Sequence, residues 1–187
     1  SEQYIKNERA LEDYLIAQGL DEAVLRLPRG DERAGADLAE IVRDARAVVQ
    51  VLNGIHHRYD RAVVEQVAIA GALLAEPEAA EAAAQYVARR LDALADEGET
   101  GWVGHFSPDA GFRFEREVRG VKEVAAIDPA LLDSADARKL DQFAPRLQPV
   151  YAKPPRFRRK DDETVIHGPR DLFKAVLDAG RKGLSLQ

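Results

Sequence analysis

The sequence predicts an α+β fold that combines a group of helices with a small antiparallel sheet around residues 101–127. An apolar stripe over residues 37–59 repeats in steps of three and four, which is the period of a helix. Apolar and charged residues alternate over residues 112–118, which is the period of a strand with one buried face. The part over residues 1–100 is therefore expected to be mainly helical, and the part over residues 101–187 to be mixed β/α.

The long helix predicted at residues 37–59 needs other elements to cover its apolar side. Asp37 and Glu40 have the spacing of a capping pair and are expected to begin it. His56 and His57 come near its end, and adjacent helical residues point about 100° apart. A metal ion shared by these two histidines is therefore disfavoured, and the favoured interpretation is surface and half-buried side chains.

The chain before this helix is predicted to start with an extended segment at residues 4–6. Asn7 can then cap a helix that Gly19 ends. A short strand is expected at residues 23–27, and a polar turn region at residues 28–35.

Two shorter helices are predicted after the long one. Asp60 starts the first, and Gly71 ends it. Pro77 opens the second, where a proline is tolerated in the first turn, and Gly98 ends it. We expect these two helices to pack with the long helix as an antiparallel group.

The predicted sheet is a three-stranded meander whose turns fall at residues 107–111 and 119–120. We expect its aromatic side chains to pack in the core instead of binding a ligand; these are Trp102, Phe112 and Phe114. Asp128 is then expected to begin a helix, and Pro145 and Pro149 to break the region that follows.

The last part of the chain is predicted to hold a short strand at residues 164–167 and a final helix. Gly180 is expected to end that helix, because glycine commonly follows the last helical turn.

Composition limits the classes of function. The chain has 187 residues, which fits one domain or two small ones, and its lack of cysteine excludes disulfides and thiolate sites. The formal net charge of −6 argues against indiscriminate coating of nucleic acid, although it permits a local basic patch. The sequence shows no signal peptide and no membrane-spanning run of about 18 apolar residues. The absence of any methionine and the start at Ser1 favour a piece of a longer protein.

Residues suited to catalysis do not form a recognisable set in the sequence. We find no phosphate-binding loop, nucleophile elbow, zinc-protease helix or calcium loop. None of the histidines is spaced from a carboxylate in the way that would suggest a catalytic triad or a set of metal ligands on a helix. The histidines are His56, His57, His105 and His167. Catalytic, cofactor-binding and metal-binding residues are therefore not expected in this chain.

One dense basic segment, residues 153–160, is the best candidate for a binding site. Its cations could contact phosphates, and Phe157 among them could stack on a base. The alternative is a solvated loop that the acidic triplet at residues 161–163 neutralises. The candidate DNA-contact residues are Lys153, Arg156, Arg158, Arg159 and Lys160.

Both ends of the chain resemble a known family, the B subunits of bacterial DNA gyrase. Glu2-Gln3-Tyr4-Ile5-Lys6-Asn7-Glu8-Arg9-Ala10-Leu11, followed by Tyr14, is similar to the stretch after the metal-binding half of that family's TOPRIM domain. Arg181-Lys182-Gly183-Leu184-Ser185-Leu186-Gln187 is similar to the segment before the return strand of that domain. The interior matches in order, and the resemblance covers essentially the whole chain.

The resemblance implies that residues 1–187 are the insert within the TOPRIM domain of a gyrase B protein. The fragment would be a non-catalytic accessory part of an ATP-dependent type II topoisomerase, aiding DNA engagement and coupling strand passage to ATP hydrolysis. The parent's Mg and ATP would be bound outside this fragment, which would itself hold no cofactor. The implied partners are double-stranded DNA, the gyrase A subunit and the host TOPRIM domain, with no membrane, in the cytoplasm.

Two alternatives to this hypothesis remain open. The chain could be a protein-interaction module that contacts the gyrase A subunit or a regulator without touching DNA. It could also be a stand-alone enzyme, for which the sequence offers no set of active-site residues.

An insert leaves and re-enters its host domain, so its terminal segments are expected to lie together. We therefore expect residues 4–6 and 184–186 to be neighbours, with strand pairing between them as one arrangement.

Overall fold

A computed structural model describes residues 2–185 of the chain, with side chains over residues 6–184. The described part confirms the α+β class, with helices and two antiparallel sheets. The fold divides into two compact units. The terminal unit is built from the residues up to Val49 and from Lys153 onward, and the central unit comprises residues 50–152. None of the described helices has the length and apolar character needed to cross a lipid bilayer.

The described helices are α1 (Glu2–Leu20), α2 (Gly35–Gly54), α3 (Arg61–Ile69), α4 (Pro77–Leu94), α5 (Pro129–Leu132), α6 (Ala135–Tyr151) and α7 (Pro169–Ser185). The strands are β1 (Ala23–Arg26), β2 (Glu32–Arg33), β3 (Val103–Ser107), β4 (Gly111–Val118), β5 (Val121–Ile127), β6 (Arg156–Arg159) and β7 (Asp162–Val165).

Helices α1 and α7 form a close antiparallel pair in the terminal unit. A Cβ atom on Gly180 would overlap the carbonyl oxygen of Leu15, and one on Gly19 would overlap that of Val176. Both glycines were predicted to end their helices. Helix α1 does end one residue after Gly19, at Leu20, whereas the prediction for Gly180 is wrong, because α7 continues to Ser185. Glycine is placed here because the two backbones approach too closely for any side chain.

The antiparallel direction brings the first turn of α1 and the last turn of α7 to the same end of the pair. The terminal segments therefore lie at the same end of the pair, but the close approach of Gly180 to Leu15 puts the last turn of α7 beside a later part of α1 than residues 4–6. That residues 4–6 and 184–186 are neighbours stays a prediction, and Leu186 lies outside the described residues. Strand pairing between them is wrong, because residues 2–6 and 184–185 are helical. The Glu, Gln and Lys residues in the first of these segments favour helix, which extends α1 upstream of the expected cap.

The sheet of the terminal unit has the strand order β2-β1-β6-β7, and every neighbouring pair is antiparallel. The strand predicted at residues 23–27 is confirmed as β1. The strand predicted at residues 164–167 begins two residues earlier, because it continues a tight hairpin from β6. Leu25 and Phe157 face each other across the β1–β6 pair and are both buried.

Helix α2 is shorter at its end than the apolar pattern predicted. It begins at Gly35, two residues before the expected capping pair, and Asp37 lies in its first turn. It ends at Gly54 instead of residue 59. At this end the Arg61 guanidinium donates hydrogen bonds to the carbonyl oxygens of Leu52 at 2.9 Å and Ile55 at 3.3 Å. These bonds satisfy carbonyl groups that the end of a helix leaves without partners.

The helices of the central unit begin largely as predicted. Asp60 accepts a hydrogen bond from the Val63 N–H at 3.2 Å and caps α3, and Pro77 opens α4. Helix α4 ends at Leu94, before the expected stop at Gly98. Helix α3 packs against α4 and also against α6, which the helical group predicted from the sequence did not include.

Two features near Asp128 differ from the prediction. The expected single helix is two, α5 and α6, and Ser134 caps the second by accepting a hydrogen bond from the Ala137 N–H. Pro145 and Pro149 do not break α6 but lie within it. Both prolines are exposed and one turn apart, so the carbonyl groups that lose their helical partners can be hydrated.

The predicted meander is confirmed as a sheet with the order β3-β4-β5. Phe112 and Phe114 are fully buried, which confirms their packing role. Trp102 is half-buried, and the Arg116 guanidinium lies 4.7 Å from the centre of its ring. This cation–π contact links the residue before β3 to the middle of β4.

Candidate nucleic-acid interface

Strand alternation divides the basic segment between two faces of the sheet. Arg156 and Arg158 are exposed on one face of β6, whereas Phe157 and Arg159 belong to the opposite face. Phe157 is only 4% exposed and lies opposite Leu25. The expectation that Phe157 could stack on a base is therefore wrong, because its ring is part of the core.

The other three predicted contact residues lie in different surroundings. Arg159 is half-buried and donates from its Nε atom to the Asp21 carbonyl oxygen at 3.0 Å. Lys160 is exposed in the β6–β7 turn, with a φ of 56°, and Lys153 is exposed in the loop before β6. The five residues do not share one surface, and their DNA contacts stay a prediction.

A further arginine, which the sequence prediction did not include, completes one face. Arg26 of β1 is directly opposite Arg156 of β6 in the ladder and is also exposed. We call Arg26, Arg156 and Arg158 the arginine face. Only the pairing of β1 with β6 brings them together, and no local signal in the sequence indicates that pairing.

The electrostatics of the arginine face differ from those of an ordinary charged surface. Like charges directly opposite each other on neighbouring strands are unfavourable, by roughly 0.2–1 kcal/mol. Arg26 lies 3.5 Å from the Glu32 carboxylate, while Arg156 and Arg158 make no ion pair within 4 Å with any residue that the structure describes. These two guanidinium groups are therefore available to an outside anion.

A shallow depression of about 540 Å³ adjoins the arginine face. Its lining includes Arg26, Arg156, Glu163 and the backbone around Pro28 and Gly30. Guanidinium groups bind phosphate oxygens through paired N–H donors, and they stay charged at every physiological pH. The geometry fits contact with a phosphate backbone, with Glu163 limiting the net positive charge.

The outer face of the central sheet shows the opposite arrangement. Arg113 pairs with Glu115, and Lys122 lies 3.2 Å from the same carboxylate. These two cations lower the pKa of Glu115 below its usual value. Arg119 pairs with Glu99 at 3.1 Å. The cations of this face are thus neutralised within the protein.

The perturbed ionisable groups of the central unit have structural explanations. The Tyr59 hydroxyl donates to Asp128 at 2.6 Å, which lowers the pKa of that carboxyl group, and burial raises the pKa of Tyr59. The Phe106 N–H donates to Glu81 at 2.6 Å and lowers the pKa of Glu81. Each group anchors one element to another. Glu81 also lies 3.3 Å from the Nδ1 atom of His105, whose side chain is 70% exposed, and this contact joins α4 to β3.

Metal-binding side chains do not cluster in the part of the chain that the structure describes. His56 and His57 lie beyond the end of α2 with their rings stacked, 4.2 Å between centres. The His56 Nδ1 atom accepts a hydrogen bond from the Arg58 N–H at 3.0 Å. The His56 side chain therefore stabilises the turn that follows α2.

The fold and its arginine face are those of an α+β module with a basic sheet surface. Residues 30–174 match the family described as the DNA gyrase B subunit insert domain. The chain is 40% identical over all its 187 residues to the DNA gyrase B subunit of Caulobacter vibrioides. It is 27% identical over its whole length to the DNA gyrase B subunit of Rickettsia conorii, and 24% identical to that of Rickettsia prowazekii.

The chain belongs to the DNA gyrase B subunit insert domain family. It spans 22–23% of the length of these relatives.

Proposed function

We propose that this chain is a non-catalytic accessory insert of an ATP-dependent type II DNA topoisomerase of the gyrase B kind. In this role it aids DNA engagement and the coupling of strand passage to ATP hydrolysis. Membership of the insert family and relatives named as the B subunit of DNA gyrase support the proposal. The single observation that carries the DNA contact is the arginine face, with two guanidinium groups that lack ion pairs among the described residues.

The proposed contact is with the phosphate backbone of double-stranded DNA. Each phosphate that a cation neutralises releases condensed counterions, so the contact weakens steeply with salt. The arginine face offers three such cations, and Lys153 and Lys160 extend the exposed charge beyond it. Phe157 is buried, so β6 offers no aromatic ring for stacking with unpaired bases, and backbone contacts with a duplex are favoured.

The net charge of −6 restricts this contact to one side of the molecule. Most of the surface repels DNA, so the chain alone is expected to bind it weakly and locally. Such a contact suits an accessory part of a larger complex. We place the insert within a host TOPRIM domain in the cytoplasm, with the gyrase A subunit and DNA as partners and with Mg and ATP bound elsewhere in the parent protein.

The test is made in a complete gyrase B protein that contains this chain. Replacing Arg26, Arg156 and Arg158 by glutamine should lower supercoiling at fixed ATP and flatten the salt dependence of DNA binding, because fewer phosphate contacts release fewer counterions. The control replaces three exposed cations of the central unit by glutamine, Arg113, Arg119 and Lys122. Equal supercoiling by both triple variants and the unaltered protein would refute the DNA contact.

A second function is favoured by the acidic character of the chain. It could be a protein-interaction module that contacts the gyrase A subunit or a regulator without touching DNA. The acidic residues that follow the basic segment, Asp161, Asp162 and Glu163, are all exposed and support this alternative. It predicts that neither triple variant changes DNA affinity and that the loss of a protein contact lowers supercoiling.

A further inference from the structure

Two carboxylates lie on the same side of the terminal sheet as the arginine face. Glu32 is directly opposite Arg26 in the β1–β2 pair, and Glu163 is directly opposite Arg158 in the β6–β7 pair. Residues directly opposite each other in an antiparallel ladder point to the same face of the sheet. The arginine face is therefore flanked by a carboxylate of the protein itself on both sides, on β2 and on β7.

Both carboxylates interact with an arginine without being fixed to it. Glu32 lies 3.5 Å from Arg26, and because these side chains are 43% and 50% exposed, their ion pair opens easily. Glu163 is exposed and makes no ion pair within 4 Å in the part of the chain that the structure describes. Opposite Cβ atoms in a ladder are about 4.5–5.5 Å apart, which is less than the screening length of about 8 Å at physiological salt. Glu163 and Arg158 therefore attract each other.

Arg156 differs from the other two arginines, because no carboxylate is directly opposite it in the described ladder. Its neighbours are Arg26 on β1 and Val165 on β7. Together with Arg26 and Glu163 it lines the depression of about 540 Å³. A phosphate that enters this depression is attracted by the Arg156 guanidinium and repelled by the Glu163 carboxylate.

These charges create a competition for the guanidinium groups. Three guanidinium groups face two carboxylates, so a single excess positive charge is left on this surface. Carboxylate and phosphate oxygens accept the same paired N–H donors of arginine. The carboxylates are tethered beside the arginines, whereas a small free anion has to be bound from solution. A polyanion that contacts several arginines at once is therefore favoured over a single anion.

We propose that Glu32 and Glu163 compete with DNA phosphates for the arginine face and hold its affinity for DNA below that of three unopposed arginines. This proposal rests on the proposed DNA contact and names the residues that limit its strength. Arg156 makes the first phosphate contact. Arg26 and Arg158 follow when the duplex displaces the two carboxylates. A contact limited in this way is released easily, which suits an accessory part that binds DNA transiently.

The test titrates a fluorescent duplex with the whole chain after replacement of each carboxylate by glutamine, which keeps the shape of the side chain. Glu163→Gln should raise the affinity about threefold at about 0.1 M salt, because one negative charge beside a bound phosphate is removed. Glu32→Gln should have a similar effect. The two positions are three strands apart, roughly 14 Å, so their effects should be independent and the double variant should bind about tenfold more tightly.

The matched control is Glu97→Gln in the central unit. Glu97 is exposed and has no ion pair among the described residues, and its replacement changes the net charge by the same amount. It should leave the affinity for the duplex nearly unchanged. An equal gain from Glu97→Gln and Glu163→Gln would assign the effect to the overall charge of the chain and would refute a local competition.

The salt dependence separates this proposal from the DNA contact itself. Salt screens the repulsion between Glu163 and a phosphate, so the gain from Glu163→Gln should shrink as salt rises. The slope of log K against log salt should therefore become slightly steeper, whereas loss of the arginines flattens it. In the variant with glutamine in place of the whole arginine face, Glu163→Gln should give no gain.

Two results would overturn the competition while the DNA contact stands. One is that loss of the arginine face weakens duplex binding, but Glu32→Gln and Glu163→Gln bind like the unaltered chain. The other is that Glu163→Gln gives the same gain with and without the arginine face. If loss of the arginine face leaves duplex binding unchanged, the DNA contact is refuted, and the carboxylates have no phosphate to compete with.

Discussion

The two sheets of this protein are both small and antiparallel, but they treat their surface charges differently. The strands of the central sheet are consecutive in the chain, and its cations are paired with carboxylates. The terminal sheet joins strands from the two ends of the chain, and places Arg26 opposite Arg156. The difference indicates that the charges of the central sheet are used in ion pairs within the protein, whereas the terminal sheet leaves two arginine side chains available to a ligand.

Leaving two arginines of the terminal sheet without ion pairs lowers the stability of the fold only slightly. An exposed ion pair contributes about 0–1 kcal/mol, so leaving two surface arginines without one sacrifices little. A cross-strand pair of like charges adds a comparable penalty. A basic face for binding phosphates is therefore compatible with a stable fold, provided that the core beneath it is well packed. Phe157 and Leu25 supply that core under β6 and β1.

The largest expected effect breaks the helix pair that supports the terminal sheet. Gly180→Ala should lower the free energy of unfolding by about 2–3 kcal/mol, because the new Cβ overlaps the Leu15 carbonyl oxygen and the helices must separate. Gly183→Ala is the control in the same helix, where no atom of the residues that the structure describes lies within 4 Å of the added Cβ. It should stabilise the protein by about 0.5–1 kcal/mol. Urea denaturation measures both, and equal effects would contradict the close approach.

A smaller effect is expected in the central unit and depends on pH. Tyr59→Phe removes the hydroxyl that donates to Asp128 and should cost roughly 1 kcal/mol at pH 7. Because the folded protein lowers the pKa of Asp128, its stabilisation is present above about pH 4 and is lost as the pH falls through the folded value. The difference between variant and parent should therefore shrink in acid.

Tyr14→Phe is the control for this pH effect. Its ring is 43% exposed in the terminal unit, so loss of the hydroxyl should leave stability unchanged across the same range. Chemical denaturation at pH 7, 5 and 3 gives the comparison. A constant difference between Tyr59→Phe and the parent at all three values would show that Asp128 does not contribute through its charge.

The smallest expected effect sharpens the comparison of the two sheets directly. Arg156→Gln removes a like-charge pair and should raise the free energy of unfolding by a few tenths of a kcal/mol, up to about 1 kcal/mol. Arg113→Gln removes an ion pair and should lower it by a similar amount. Both changes should fade at high salt, because mobile ions screen exposed charges. The same sign for both variants would contradict the proposed difference between the faces.

The sequence was informative where structure depends on neighbouring residues. The three strands of the central sheet, the Asp60 cap and the proline at the start of α4 follow from alternation, turn residues and helix-start signals that act within a few positions. The family resemblance at the chain ends is likewise a local signal, and the match over residues 30–174 confirms the insert family.

The sequence was misleading where the role of a residue depends on contacts with segments far away in the chain. Gly19 and Gly180 have the local character of helix stops, but their role is set by the helix that each one faces. The basic segment was identified correctly as a dense run of charge, yet its division between two faces depends on the register of β6. Arg26 was missed because it is brought to Arg156 by a pairing between the two ends of the chain.

The most direct test of this account titrates a fluorescent duplex with the purified chain at several salt concentrations. We expect replacement of Arg26, Arg156 and Arg158 by glutamine to weaken binding and to flatten the slope of log K against log salt by up to about 2.7, at roughly 0.9 for each phosphate contact. Replacement of Arg113, Arg119 and Lys122 should leave both quantities unchanged. Identical slopes for the two triple variants would contradict the central claim that the terminal sheet holds its arginines for DNA.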